Sequence, residues 1–325
     1  MNISRRNLLG LSLAAPLLGQ PPKPTPPEDE TPTIKVEVDL VNIFCSVRDK
    51  SGSYISTLTK DDFQVLEDGK AQELKFFARE TNLPLTIGLL VDVSRSQEAL
   101  IDVEREASLR FFSRVLRQKD MAFVISFGVD SDLLQDYTNS IPLLRKALMG
   151  LRLNAGTGGI SPMPSPVPVQ QRGTVLYEAV FLAADEKLKS EVGRKAMVVI
   201  TDGNDYGSRI KIEKAIESAQ RADAIIYSVL YEDPRYTSPM FGGASGEGPL
   251  KKMADETGGR IFRVSRRLTL DEIYDQIQQE MRSQYALGYT PTNSSRDGAF
   301  RKLDIRARGK ELKVQARKGY YSSKG

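Results

Sequence analysis

The chain has 325 residues, of which 40% are hydrophobic and 27% charged, with a formal net charge of +4; these are values of a globular protein large enough for one big domain or two smaller ones. The weak, scattered positive charge gives no reason to expect a nucleic-acid partner. Histidine is absent and Cys45 is the single cysteine, which excludes Ser-His and Cys-His nucleophilic sites, histidine-zinc sites and an intrachain disulfide.

Residues 1–20, "MNISRRNLLGLSLAAPLLGQ", pair a short cationic start with an apolar run too short to span a bilayer stably. They read as an export signal, removed with Arg5 and Arg6. Ser4-Arg5-Arg6-Asn7-Leu8-Leu9 resembles the twin-arginine motif, and an ordinary signal peptide is the alternative. The expectation is a periplasmic, extracellular or cell-surface protein with no stable membrane anchor in the mature chain. A spacer follows at 21–33, with prolines at 21, 22, 24, 26, 27 and 32.

From 34 to 82 the pattern has period two. Ile34, Val36, Val38 and Leu40 alternate, then the phase slips by one, as at a β-bulge, to Val41, Ile43, Cys45 and Val47. Cys45 therefore reads as a small buried hydrophobe. Ser51-Gly52 and Asp68-Gly69 are hairpin turn signals, the second joining "FQVLE" to "QELKFF". Such a small antiparallel unit needs a partner to cover its edges.

Residues 84–282 follow another rule. "PLTIGLLVD", "MAFVISFG", "KAMVVITDG" and "AIIYSVLY" are continuous apolar runs, as in strands buried on both faces of a parallel sheet. Helical patterns fall at 97–117, 140–150, 174–189, 208–221, 247–256 and 269–284, the last opened by a Thr269–Glu272 capping box. The fold class is thus α/β, a doubly wound, mostly parallel sheet flanked by helices, with its ligand site at the carboxyl ends of the strands. Residues 283–322 return to alternation in "YALGYTP", "FRKLDIRAR" and "ELKVQARKGYY", three expected strands with a turn at Gly309-Lys310. Leu303, Ile305 and Ala307 share a face, as do Leu312, Val314 and Ala316. They are expected to complete the 34–82 unit as one β-sandwich built from both ends, with the α/β domain inserted; two independent β-flaps packed on the α/β core are the alternative.

Asp92, Ser94 and Ser96 stand where the first central strand gives way to a helix. Helix capping by itself accounts for one of them. Two further stretches supply more oxygens at the same predicted edge: Thr174 opens a helix in "RGTVLYEA", and Asp202 ends a strand in "VVITDGND". Hydroxyls and carboxylates without nitrogen or sulfur suit a hard divalent cation, Mg²⁺ before Ca²⁺ or Mn²⁺.

"DVSRS", "GT" and "TDG" in this order resemble the metal-ion-dependent adhesion site of the von Willebrand factor A (VWFA) domain, over residues 84–282. The flanks, "DDFQVLEDGKAQELKFF" and "YALGYTP…FRKLDIRAR…ARKGYY", are similar to exported VWFA-related proteins common in acidobacteria. The resemblance implies that Ser94 and Ser96 bind the metal directly and that Thr174 does so in the ligand-ready state. Asp92 and Asp202 would act largely through water. Arg95 replaces the usual small residue between the serines. Two loops, 154–173 and 232–248, are candidates to frame the site, with Met240-Phe241 as an apolar contact.

The function expected is an adhesion module, not an enzyme, whose metal accepts an acidic side chain of an unidentified protein partner. The alternatives are an envelope scaffold with a vestigial site and a metal-dependent hydrolase using Asp92, Asp202 or Asp205 as base. The absence of histidine, of a second metal cluster and of a G-x-S-x-G elbow argues against the hydrolase.

Overall fold

Two segments far apart in sequence build the first layer pair. The computed structural model describes residues 40–79, 83–154, 173–233, 245–309 and 311–324. From the first segment come β1 (Val41–Arg48), β2 (Phe63–Glu67), β3 (Lys70–Gln72) and β4 (Leu74–Arg79). Gly52, at φ +86°, closes the first turn, and Asp68 and Gly69, both at positive φ, close the β2–β3 hairpin, the geometry of a two-residue primed turn. Ile34, Val36 and Val38, the leader and the spacer lie outside the described residues.

The central sheet follows in chain order. It contains β5 (Leu85–Asp92), β6 (Met121–Phe127), β7 (Ser131–Thr138), β8 (Arg194–Thr201), β9 (Ala224–Leu230) and β10 (Ile261–Arg263), in the spatial order β10-β9-β8-β5-β6-β7. All pairings are parallel except β6–β7. Every residue of β5, β8 and β9 is buried, which is why these strands read as unbroken apolar runs. The helices are α1 (Ile101–Val115), α2 (Ile141–Met149), α3 (Leu176–Leu182), α4 (Ile212–Arg221), α5 (Glu247–Thr257) and α6 (Leu270–Arg282). On one face α1, α2 and α6 bury Phe111, Leu148 and Ile277 against Ile87, Leu89 and Val91. On the other, α3, α4 and α5 bury Val180, Ala219 and Met253 against Leu90, Met197 and Ile226. The sheet is doubly wound, as the alternation of strand and helix patterns requires.

Some boundaries differ from expectation. The helix expected from 97 begins with a 3₁₀ turn, Arg95–Gln97, before α1, and the stretch expected at 174–189 is α-helical only to Leu182, continuing as a π-helical turn over Ala183–Leu188. Strands β7 and β10 had no sequence signal. β7 is a half-exposed edge without clean alternation, and β10 has three residues.

The chain then returns to the first layer pair with β11 (Tyr285–Tyr289), β12 (Phe300–Ala307), β13 (Lys313–Ala316) and β14 (Gly319–Tyr321). Two antiparallel sheets result, β13-β1-β11-β4 and β14-β12-β2-β3. They share one core, in which Ile43, Cys45 and Val47 meet Val65, Leu287, Leu303 and Ala316, with Ile305, Ala307, Leu312 and Val314 packed around it. The sandwich built from both ends is therefore present. Burial pushes the Cys45 thiol up to about 12, the behaviour of an inert core residue.

The run "ELKVQARKGYY", expected as one strand, is two, and they lie in different sheets. The break is at Arg317, whose buried guanidinium pairs with Asp223 and donates to the carbonyl of Asn42 at 2.6 Å. Lys318 N–H leaves the ladder to donate to Glu256 O at 3.2 Å. One side chain thus binds the α4–β9 turn to β1 at the point where the strand changes sheets. We predict that Arg317→Ala lowers stability by about 2 kcal/mol, the scale of charge-assisted hydrogen bonds lost from a mostly buried group, as measured by urea unfolding; an unchanged midpoint would remove this residue from the junction.

Candidate metal centre

The centre forms where β5 and β8 end side by side. Their register pairs Leu90 with Val199 and Val91 with Ile200, so Asp92 comes level with Thr201. Asp92 is fully buried. One of its carboxylate oxygens accepts the Ser94 N–H at 2.9 Å and the other accepts the Thr201 hydroxyl at 2.5 Å. The first bond turns the chain out of the strand, with Ser94 extended (φ −67°, ψ 167°) ahead of the 3₁₀ turn. Ser94 Oγ lies 3.1 Å from Ser96 Oγ, which donates to Asp202 Oδ2 at 2.6 Å. Asp202 Oδ1 accepts the Asn204 N–H at 3.0 Å. Asp92, Ser94, Ser96 and Asp202 are thereby drawn together from strand ends 109 residues apart in the case of Asp92 and Thr201.

The turn after Asp202 depends on close backbone contact. Gly203 has φ +81°, and a Cβ there would lie 2.3 Å from the carbonyl oxygen of Gly246, so both conformation and space demand glycine. This seats the start of α5 on the candidate centre.

Thr174 is buried and lies beside the same turn: its carbonyl accepts the N–H groups of Tyr206 and Gly207, each at 3.0 Å. Its hydroxyl stands apart from the hydrogen-bonded chain that joins the other four residues. Asp205 is committed elsewhere, accepting the Tyr177 N–H at 3.1 Å and the Ser208 hydroxyl at 2.6 Å. It holds the first turn of α3, which speaks against a free base. Most of the loops expected to frame the centre, including Met240-Phe241, lie outside the described residues.

Electrostatics sets the character of the place. Burial, and secondly the neighbouring Asp202 charge, push the Asp92 carboxyl up to about 7, against the hydrogen bonds from Ser94 and Thr201. Among the described residues no basic side chain forms an ion pair with Asp92 or Asp202, and Arg95 between the serines is exposed. Behind them Glu104 of α1 is completely buried, and neither of its carboxylate oxygens has a hydrogen-bond partner. Burial and then the Asp92 charge raise its carboxyl well above the usual range. Gln97 adds another buried oxygen without a partner, its Nε2 donating to Tyr231 O at 3.1 Å.

The donor set fits a hard cation. It has two carboxylates whose mutual repulsion nothing positive relieves, bridged by two hydroxyls able to share coordination with water. No cluster of three or more His, Cys, Asp or Glu side chains suited to a metal occurs among the described residues; this centre offers hydroxyls where such a cluster has acids. Thr201, Gln97 and Glu104 went unnoticed in the sequence. Glu104 had a legible signal, since it stands three residues after Ile101 on the face of α1 that buries Ala107 and Phe111.

Fold and centre together describe a doubly wound α/β domain carrying an oxygen-lined site at the carboxyl edge of its sheet. No family model and no curated relative matches the chain. Solved structures similar to it include an aerotolerance-related membrane protein from Bacteroides fragilis, at 17% identity and TM-score 0.44, covering 61% of this chain and 98% of that one. Another is BatB from Bacteroides thetaiotaomicron, at 18% identity and TM-score 0.42, covering 61% and 97%. A third is the SpRpn10 VWA domain, at 14% identity and TM-score 0.40, covering 60% and 95%.

The raised carboxyls carry a pH signature. In the unfolded chain Asp92 ionises near its ordinary 3.8, whereas the folded protein keeps the proton until about 7. Between those values folding requires a proton to be held, so the metal-free protein loses stability as pH rises, by at most about 1.4 kcal/mol per pH unit for one such group. Above about 7 the Asp92 contribution levels off, while Glu104, held well above the usual carboxylate range, goes on lowering stability until it too ionises. Glu104→Gln is expected to stabilise the protein at pH 7 and to flatten the profile. Thermal unfolding in chelator from pH 4.5 to 8 measures this, and a stability rising over that interval would contradict it.

Proposed function

We propose that the chain is a divalent-metal-dependent binding module, in which Mg²⁺, with Ca²⁺ or Mn²⁺ as substitutes, bridges the centre to an acidic side chain of a partner protein. The observation that carries this reading is the joining of Asp92, Ser94, Ser96 and Asp202 in one cluster with two carboxylates and no basic partner. Ser94 and Ser96 would bind the ion directly, Asp92 and Asp202 largely through water, and Thr174 would join when a ligand engages. Few anionic ligands in direct contact would leave the ion enough positive charge to attract an outside carboxylate. Exposed Tyr206, beside Thr174, offers a flank for that partner.

The same reading takes the chain as a VWFA-type protein, exported by its leader, that binds rather than catalyses. No described helix is long and apolar enough to cross a membrane. The test is calorimetric titration of Mg²⁺ into chelator-stripped protein beside an Asp92→Ala/Ser94→Ala variant checked for native circular dichroism. Saturable binding lost in the variant is the expected result. Absence of binding at millimolar Mg²⁺, Ca²⁺ and Mn²⁺ would return these residues to a role in turn formation.

A further inference from the structure

A second site lies two strands away, on the other side of β6. Between β7 and the π-helical turn after α3 there is a cleft of about 140 Å³, open to solvent on one side. It is lined by Ile125, Leu133 and Leu182 and by the oxygen-bearing Ser131, Asp132 and Glu186, with Asp132, Leu133 and Glu186 at its exposed rim. The Ser131 hydroxyl is buried without a hydrogen-bond partner, and among the described residues neither Asp132 nor Glu186 forms an ion pair.

Lys187 also lines the cleft, but its charge is taken. Its ammonium bonds Asp136 at 2.5 Å and rests 4.5 Å from the centroid of the Tyr137 ring. Its carbonyl accepts the Tyr137 hydroxyl. The remaining polar demand of the cleft is therefore for hydrogen-bond donors and positive charge.

Both walls are irregular at this place. The β6–β7 register shifts twice, between Ala122 and Val124 and again between Val124 and Ile125. Opposite, Ala183–Leu188 is wound as a π-helix, with Lys189 N–H reaching Ala184 O at 3.0 Å. Bulges and π-turns each give up regular backbone bonding, and both concentrate where proteins shape sites. Here the two face one another across the cleft.

We propose that this cleft binds a small organic cation: an ammonium on a compact apolar body, the ammonium bonded by Ser131, Asp132 and Glu186 and the body set against Ile125, Leu133 and Leu182. The site does not depend on the metal reading, because none of its residues belongs to the candidate metal centre.

Benzylamine is the probe, and benzyl alcohol, of the same shape without charge, is the control. Each is titrated at pH 7 in chelator into isotope-labelled full chain, following backbone amide resonances. Saturable shifts at 131–133 and 183–187 are expected, with benzylamine about tenfold tighter than the alcohol, the effect of one charge-assisted hydrogen bond. Asp132→Asn/Glu186→Gln should bring the amine down to the alcohol's affinity. No localised shift with either compound, equal affinity for the two in the wild-type chain, or amine binding that survives the double substitution would each overturn the proposal.

Discussion

The parallel pairing of β5 with β8 is the constraint on which the candidate site depends. It sets Asp92 level with Thr201 and so puts two carboxylates, Asp92 and Asp202, at adjacent strand ends. A fully buried acid beside a second acid is unfavourable unless protonated or met by a cation. Serine hydroxyls, not basic groups, occupy the space between them. The β5–β8 core, unbroken and apolar, is what holds this unfavourable arrangement in place. Glu104, without a partner behind Asp92, deepens the same deficit of positive charge.

The sandwich solves a different problem. Each terminal segment alone would be a few strands with open edges. Interleaved, β1 lies between β11 and β13, and β12 lies between β2 and β14. Both ends of the inserted α/β portion are thereby held in one core. Buried polar contacts tie the two parts: Glu280 of α6 accepts from Ser46 and Tyr54, and Arg317 reaches Asp223. These bonds fix how α6 hands the chain to β11.

All five proposed ligands carry a local sequence signal, and the fold joins four of them, Asp92, Ser94, Ser96 and Asp202, by hydrogen bonds. An acid or hydroxyl at the end of an apolar run is a polar group at a strand terminus, and alternate positions place Asp92, Ser94 and Ser96 near one another. Thr174 was legible as a helix start, and its backbone does adjoin the turn after Asp202. Its hydroxyl, however, stands outside the hydrogen-bonded cluster. Thr201 was hidden because a threonine inside "VVIT" reads as an ordinary β-branched strand residue. The cleft at Ser131 was invisible, since it arises from a bulged edge strand and a π-turn brought together from 131–133 and 182–187, neither of which has a strong periodic signature.

By itself the sequence determined the type and order of most elements, the two-ended sandwich and the edge of the sheet that carries the oxygens. Those follow from period two, period 3.6 and unbroken apolar runs, which report burial residue by residue. Tertiary structure alone decided the split of the last strand at Arg317, the antiparallel edge β7, and which oxygens touch. These depend on register between segments a hundred residues apart and on side chains such as Arg317 and Glu104, whose partners or lack of them exist only once the layers have closed.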